Sequence, residues 1–390
     1  MEQNMTTVFF SLLSSVDKDQ GFRKKQELPI EYIDELFELA KKHDLAHVLA
    51  YALYESGAVV KGDALYERVQ KEQIQAIWRY EQTQLVLDEL RALLESERVV
   101  FVPLKGSVIR CFYAEPWLRT SCDIDILVHE EDLDRVDELL SERGFERKGK
   151  NYHDVSYFSP SGIHLELHYN ITEQISSIDR VLCKVWEYCI PLEGKQYEHR
   201  QTTEFLMYHL LAHMSYHFIS GGCGIRPFLD IWLLKNKLEY DEQKLALLCR
   251  EAELDTFQKN VYSLIDVWLE GKSHTALTLS MESFIFGGGV YGTMSNRIIL
   301  EQAQSGGRVK HLMYRLFLPY AVIKKRYPVL EKHKYLLPVF WVVRWVQTLT
   351  SGRFKDSVIE LEANNNNSDD DIKNAERFLA AVGLNPKNRG

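Results

Sequence analysis

The sequence lacks the cysteine spacings and the positive net charge that would assign it to several common classes of protein. Its six cysteines include no CxxC pair, which argues against a zinc site or a disulfide framework and predicts reduced thiols that lie mostly in the core. The net charge is −9, whereas sequence-independent binding of nucleic acid requires an excess of Lys and Arg. We therefore expect no bulk nucleic-acid binding.

Long apolar runs are also missing. The most apolar segment, residues 335–346, is too short to cross a bilayer and contains Pro338 and Arg344. The N-terminus has no basic region before its short apolar run, so it does not resemble a signal peptide. We expect no transmembrane segment and a cytoplasmic location.

The residues that are present indicate a globular protein of two or three domains. Hydrophobic residues make up 45% and charged residues 26% of the 390 residues. Apolar residues at helical spacing predict an N-terminal helical segment over residues 1–98 and a helical C-terminal domain over residues 201–362. Residues 99–200 form a predicted α/β domain. Residues 363–390 are predicted to be a polar linker followed by a short terminal helix.

Local patterns give the order of elements in the central domain. The segments "VVFVPL" and "CDIDILV" predict two strands, and "HEEDLDRVDELLSERGF" predicts an amphipathic helix. The segment "HDVSYFSPSGIHLELHYNI" predicts a hairpin. The expected fold class is α+β, with a small mixed sheet and its helices between an N-terminal helical segment and a larger C-terminal helical region.

Two acids interrupt the second predicted strand. Because side chains alternate along a strand, Asp123 and Asp125 point to the same face. Carboxylates on a buried strand require a cation or hydrogen-bond donors. Glu166, between His164 and His168 on one face of the hairpin, can add a third carboxylate. Such a cluster predicts two divalent ions of the kind that promote displacement at phosphorus, although an isolated Asp-x-Asp can also be a surface or capping feature.

A small-residue turn precedes these acids. Gly106 and Ser107 follow the first predicted strand and open a helix, a geometry that favours an anion at backbone N–H groups. Gly106 allows a phosphate to approach the backbone, and Ser107 can donate a hydrogen bond. Lys105, Arg110 and Arg119 flank the turn and can neutralise phosphate charge. Arg119 either faces a nucleotide or pairs with an acid.

Three histidines recur every four residues on a predicted helix. His209, His213 and His217 could form a metal-binding face, but no carboxylate or Cys stands at a matching spacing, so packing at a domain interface is the favoured prediction. Alternatively, His213 borders the site and contacts the nucleotide. Farther along, Arg226 and Asp230 are four residues apart and predict an ion pair within one helix.

Residues 308–334 interleave basic and aromatic side chains. This segment could bind a polyanionic acceptor or an acidic membrane surface. It could also be the solvated face of helices whose aromatic residues pack in a core. The second alternative is the favoured prediction.

The motifs "LKG", "DIDILV" and "LELH", in this order, resemble a family of uncharacterised bacterial nucleotidyltransferases within the DNA polymerase β-type nucleotidyltransferase superfamily. The resemblance is strongest over residues 99–172 and weaker through the helical part that follows. It implies a nucleotidyltransferase sheet and a metal-dependent transfer of a nucleoside monophosphate from an NTP, such as ATP, with release of pyrophosphate. The acceptor would be a hydroxyl or phosphate group of a small molecule or protein, and two Mg²⁺ or Mn²⁺ ions would be required.

Carried over to this sequence, the resemblance implies that Asp123 and Asp125 bind both ions. Glu166 would bind the catalytic ion and help to accept the proton of the acceptor; it stands where many superfamily members have Asp. Gly106 and Ser107 would hold the triphosphate. The alternative function is a catalytically weak nucleotide-binding or antitoxin-like interaction protein that retains the fold.

Overall fold

The structure, a computed structural model, describes residues 3–18, 32–290, 292–350 and 367–385. It confirms the predicted α+β class, because helices precede and follow a five-stranded mixed sheet and a small two-stranded sheet. Within these ranges, no helix is long and apolar enough to cross a membrane.

The bounds of the elements are as follows. The strands are β1 (Phe101–Pro103), β2 (Asp123–Val128), β3 (Glu146–Lys150), β4 (Asp154–Phe158), β5 (His164–His168), β6 (Cys189–Pro191) and β7 (His199–Gln201). The helices up to the small sheet are α1 (Gln3–Leu13), α2 (Ile33–Lys42), α3 (Ala46–Glu55), α4 (Tyr66–Ser96), α5 (Gly106–Ile109), α6 (Leu133–Glu142) and α7 (Ser176–Leu182). The helices after it are α8 (Thr203–Ser220), α9 (Arg226–Lys237), α10 (Glu242–Glu251), α11 (Asp255–Glu270), α12 (Ala276–Gly288), α13 (Met294–Ser305), α14 (Arg308–Leu316), α15 (Tyr320–Arg326), α16 (Val329–Lys332), α17 (Leu337–Thr350) and α18 (Asp369–Val382).

The five-stranded sheet has the order β1-β2-β5-β4-β3. Strands β2 and β5 are parallel, and every other neighbouring pair is antiparallel. In the parallel pair, Asp125 stands opposite Glu166. This register places the acids of β2 beside the polar side chains of β5, on the same face of the sheet.

The opposite face of the sheet is the hydrophobic core. Ile124, Ile126 and Val128 point into it from β2 and are fully buried. Helices α4 and α6 cover this face with apolar residues at helical spacing, and β4 and β5 contribute their own alternate residues. Apolar burial therefore fixes which side of the sheet receives the acids, because a shift of one residue would bring the carboxylates into the core.

Two features of the fold differ from the expectation. Strand β3 and the small sheet of β6 and β7 were not predicted. Helix α18 begins at Asp369, within the predicted polar linker, because the side chain of Ser368 accepts a hydrogen bond from Asp371 N and Asp371 accepts one from Ser368 N. This reciprocal cap uses the acids of the run to start a helix. Residues 363–366 of the predicted linker lie outside the described residues.

All six cysteines are free thiols, as expected. The prediction that most of them lie in the core is wrong, since only Cys223 and Cys249 are buried. Cys111, Cys122 and Cys183 are exposed because they lie in turns that join elements and not on inward-facing positions.

The chain divides into two compact units, one of residues 1–214 with 225–279, the other of residues 215–224 with 280–389. The first unit contains both sheets and every acid, lysine and arginine of the site described next. The four-segment division predicted from the sequence stays a prediction.

Candidate active site

The polar face of the sheet brings three carboxylates together at the β2–β5 pair. The ligand atoms of Asp123, His164 and Glu166 all lie within 4.8 Å of one another, and so do those of Asp125, Glu166 and His168. Glu166 belongs to both groups, so it joins the two acids of β2 into one cluster. Alternation along the strands and the in-register parallel pairing account for this convergence.

His168 lies between two of the acids. Its Nε2 is 2.9 Å from Oδ1 of Asp125 and 3.5 Å from Oε2 of Glu166. Burial opposes protonation of this imidazole, but the contacts with the two carboxylates raise its pKa to about 9. His168 is therefore a cation at neutral pH, and this positive charge lies within the acidic cluster.

The carboxylates differ in their electrostatic environment. Burial, followed by repulsion from Asp125 and Glu166, raises the pKa of Asp123 to about 6. Burial alone would also raise the pKa of Asp125, yet the Lys105 ammonium and the His168 hydrogen bond hold this pKa well below its usual range. The contact with His168 lowers the pKa of Glu166. Asp123 is thus the acid whose charge is least compensated.

Lys105 supplies the second positive charge. Burial disfavours its charged form, but Asp125, Glu173 and other acids of the cluster raise its pKa overall. Its backbone has φ 41° and ψ −112°, an unusual conformation for a residue with a side chain. Residues kept in such conformations are often found at functional sites, where surrounding structure holds them.

Glu173 is a member of the site that the sequence analysis did not identify. It is buried, and its Oε1 lies 2.7 Å from Nδ1 of His213. Burial raises the pKa of Glu173, but the charge and hydrogen bond of His213 lower it to about 2. His213 therefore lies next to the site, because it pairs with Glu173. No motif marks Glu173, because it follows β5 in an irregular segment.

The predicted phosphate-holding turn is present after β1. Helix α5 begins at Gly106 but is only one turn long. The N–H of Ser107 donates to the carbonyl of Leu104, so it is already used within the turn. The Ser107 hydroxyl, by contrast, has no hydrogen-bond partner among the residues that the structure describes, although the residue is buried. The hydroxyl is not among the buried side-chain atoms that lack a partner, so it reaches solvent and can donate to a bound phosphate oxygen.

Arg119 has a structural partner and also lies beside this turn. Its Nε donates to both carboxylate oxygens of Asp230, at 2.8 and 3.0 Å, and Nη1 donates to the Thr120 carbonyl. A Cβ added to Gly106 would be 3.4 Å from Nη1 of Arg119. Within the described residues, Nη2 has no hydrogen-bond partner. Pairing with an acid and contact with a nucleotide are therefore compatible with each other for Arg119, since one side of the guanidinium is paired with Asp230 and the other side is available.

The remaining candidates have structural partners. Arg110 is buried and donates to the Gly106 carbonyl and to the Ser121 hydroxyl, so it holds the turn in place. His209 is buried beside Gln201. None of the three histidines at four-residue spacing belongs to a candidate metal group in the described part of the chain.

The predicted ion pair within helix α9 is wrong. Arg226 instead pairs with Asp44, which lies just before α3. Asp230 accepts hydrogen bonds from Arg119 and from the Tyr113 hydroxyl. Arg226 and Asp230 thus each connect α9 to a distant loop. Asp230 is buried, so its carboxylate requires partners, and these come from outside its own helix.

Residues 31–270 match a family model described as an uncharacterised nucleotidyltransferase. The chain belongs to this family. The matched segment spans more than half of the chain and contains the whole cluster around β2 and β5. Comparisons with curated proteins and with solved structures gave no match. Membership of the nucleotidyltransferase family indicates nucleotidyl transfer as the general activity.

The first prediction concerns the buried ion pair of Arg119 and Asp230. Arg119→Met should lower the free energy of unfolding by about 3–5 kcal/mol, because it leaves the Asp230 carboxylate buried without its cation. Chemical denaturation measures the loss. The double variant Arg119→Met/Asp230→Asn should be less destabilised than the sum of its single variants. Additive losses would show that the two side chains do not interact.

The second prediction contrasts the two acids of β2 in metal-free buffer. Because the folded-state pKa of Asp123 is raised to about 6, its ionised form destabilises the protein above that pH. Asp123→Asn should therefore stabilise the protein at pH 8, by about 1–3 kcal/mol, and the gain should shrink at pH 5.

Asp125→Asn should have the opposite effect. The lowered pKa of Asp125 means that its ionised form contributes stability at pH 8, and that this contribution is lost only in strong acid. The variant should lose on the order of 3 kcal/mol, because His168 keeps its charge without its nearest partner. Denaturation at pH 5 and pH 8 in the presence of EDTA tests both variants. Changes of the same sign at pH 8 would contradict the electrostatic assignment.

Proposed function

We propose that this protein is a metal-dependent nucleotidyltransferase of the DNA polymerase β-type superfamily. It would transfer a nucleoside monophosphate from an NTP to a hydroxyl or phosphate acceptor and release pyrophosphate. The observation that carries this proposal is the in-register pairing of β2 with β5, which supports a cluster of Asp123, Asp125 and Glu166 beside the turn that carries Lys105.

The residues present fit a pair of divalent ions. Carboxylate oxygens are the ligands that Mg²⁺ and Mn²⁺ prefer, and Glu166 lies within reach of both acids of β2. The raised pKa of Asp123 indicates uncompensated negative charge that a cation would relieve. When bound, the ions would neutralise charge on the phosphate oxygens and position the attacking group.

The other polar residues support these ligands. His168 orients Asp125 through its hydrogen bond and helps to keep it ionised. Glu166 has a lowered pKa, so its carboxylate is ionised at neutral pH and is available to accept the proton of the acceptor. Glu173 and His213 form a hydrogen-bonded pair next to these ligands. The negative charge of Glu173 also helps to raise the pKa of Lys105 and so to keep it charged.

The turn after β1 would bind the triphosphate. Lys105 provides a fixed positive charge, and the Ser107 hydroxyl can donate to a phosphate oxygen. Gly106 lies beside Arg119, since a Cβ added there would be in van der Waals contact with Nη1 at 3.4 Å. Nη2 of Arg119, which has no hydrogen-bond partner in the described part of the chain, can contact phosphate while Nε remains on Asp230. His213, held by Glu173, is the further candidate for contact with the nucleotide.

The third prediction separates nucleotide binding from transfer. NTP with Mg²⁺ or Mn²⁺ should raise the melting temperature, whereas NTP with EDTA should do far less, because the three carboxylates would hold the ions that neutralise the triphosphate. Glu166→Gln should keep most of this shift but lose transfer by several orders of magnitude, since the ionised acid is removed. Pyrophosphate release with a panel of acceptors measures the transfer.

Glu142→Gln, at the exposed end of α6, is the matched control for loss of one carboxylate and should behave as wild type. An equal thermal shift in EDTA would count against the metal site. Stoichiometric NTP binding without pyrophosphate release, for the wild type and across a broad acceptor panel, would favour the alternative of a catalytically weak nucleotide-binding or antitoxin-like protein.

The fourth prediction concerns the hydroxyl of Ser107. Ser107→Ala should weaken NTP–Mg²⁺ binding by roughly 1.5–3 kcal/mol, the value of a hydrogen bond to a charged group. Stability without ligand should hardly change, because the hydroxyl has no partner in the described residues. Isothermal titration calorimetry measures the affinity, with Ser141→Ala on the exposed side of α6 as the control. Unchanged affinity would remove Ser107 from the phosphate site.

A further inference from the structure

Helix α17, in the second compact unit, presents apolar side chains to solvent. Val339, Val342 and Val346 are 54%, 51% and 52% exposed. Their spacing of three and four residues places them on one face of the helix. The half-buried Trp341 and Trp345 lie on the other side of the helix, so α17 has apolar residues on its outer side as well as on its inner side.

Helix α14 repeats the pattern. Val309, Met313 and Leu316 are spaced by four and three residues, and all three are exposed, Val309 at 73%. The residue that α14 buries is the polar His311, whose Nε2 lies 3.1 Å from a carboxylate oxygen of Glu301. Two helices of the same unit therefore place apolar residues outward.

The inward side of α17 is occupied by contacts with the end of α14. The indole N–H of Trp345 donates to the carbonyl of Leu316, and Arg344 donates to the carbonyl of Arg315 at 2.6 Å. These bonds fix the rotation of α17 about its own axis and hold it against the end of α14. The valines face outward because the tryptophan and arginine side of the helix satisfies the carbonyls at the end of α14.

We define the exposed apolar surface as these six side chains: Val309, Met313, Leu316, Val339, Val342 and Val346. The segment that carries it, residues 308–346, has nine Lys and Arg against one Glu and a formal charge of +8. The rest of the chain therefore carries −17, since the whole chain carries −9. Exposed cations such as Lys310, Lys332 and Lys334 lie in the same run of helices.

This charge decides what the exposed apolar surface can bind. A second copy of the chain would bring another +8 segment against the first, which disfavours symmetric self-association through this face. A nucleic acid needs cations along its contact, but the outward face of α17 consists of valines, and the single cation of that helix, Arg344, is bonded to α14. Neither symmetric self-association nor nucleic-acid binding therefore suits both the apolar and the basic side chains.

We propose that the exposed apolar surface binds the surface of an anionic lipid bilayer. The six apolar side chains would enter the boundary between headgroups and acyl chains, as the apolar face of an interfacial helix does. The surrounding Lys and Arg residues would lie at the level of anionic headgroups, which attract basic segments close to a membrane. The helices would rest on the bilayer, since none of those described could span it.

Vesicle co-sedimentation tests the proposal with the full-length protein. The protein should sediment with vesicles of phosphatidylcholine and phosphatidylglycerol and much less with phosphatidylcholine alone, and its binding to the anionic vesicles should fall as salt is raised. The variant Val339→Ser/Val342→Ser/Val346→Ser should reduce partitioning at least about tenfold. It should stay folded, because the three side chains are exposed and Ser and Val have similar helix propensity; circular dichroism verifies this.

The matched control replaces three apolar residues of similar exposure outside the segment, Val60→Ser/Leu247→Ser/Leu279→Ser, and should bind vesicles as wild type does. Lys332→Gln/Lys334→Gln should weaken binding to anionic vesicles and not to neutral ones. Equal binding to neutral and anionic vesicles, or vesicle binding that the valine variant leaves unchanged, would overturn the proposal. So would binding to an oligonucleotide or an acidic peptide without binding to vesicles.

Discussion

The parallel pairing of β2 with β5 is the constraint on which the site depends. Its register sets Asp125 opposite Glu166 and brings Asp123 within ligand distance of the same acid. The apolar residues between the acids hold this register, because they fill the core beneath α4 and α6. A chain that buries Ile124 and Ile126 therefore has to gather its carboxylates on the other face. Stability and chemistry are specified by alternate residues of the same six-residue strand.

The second determinant is how the protein tolerates the three carboxylates of one cluster. His168 and Lys105 supply positive charge from within the cluster, and the pKa of Asp125 falls accordingly. Asp123 is left with a pKa of about 6. Repulsion among the carboxylates is therefore not shared evenly, because of the three only Asp123 has a raised pKa. Under the proposed function, the positive charges of His168 and Lys105 keep the protein folded without metal ions, while the uncompensated charge of Asp123 favours the binding of added cations.

Much of the fold could be predicted from the sequence because local patterns agree with it. The alternation in "CDIDILV" predicts both the strand and the shared face of its acids, and the helix α6 follows from its periodicity. Strand β3, "ERKGK", escaped prediction because it is an exposed edge strand rich in charge. Glu173 and the partners of Asp230 also escaped, since they depend on long-range contacts that no local spacing encodes.

Under the proposed function, Asp123, Asp125 and Glu166 hold the ions that act on an NTP. The most direct measurement is a crystal structure with Mn²⁺ and a non-hydrolysable NTP analogue, in which anomalous scattering locates the ions independently of the density for the protein. The proposed function predicts anomalous peaks within coordination distance of these three carboxylates, with the triphosphate beside Ser107. Ions and nucleotide bound elsewhere, with His168 still between Asp125 and Glu166 and no peak at the cluster, would contradict it.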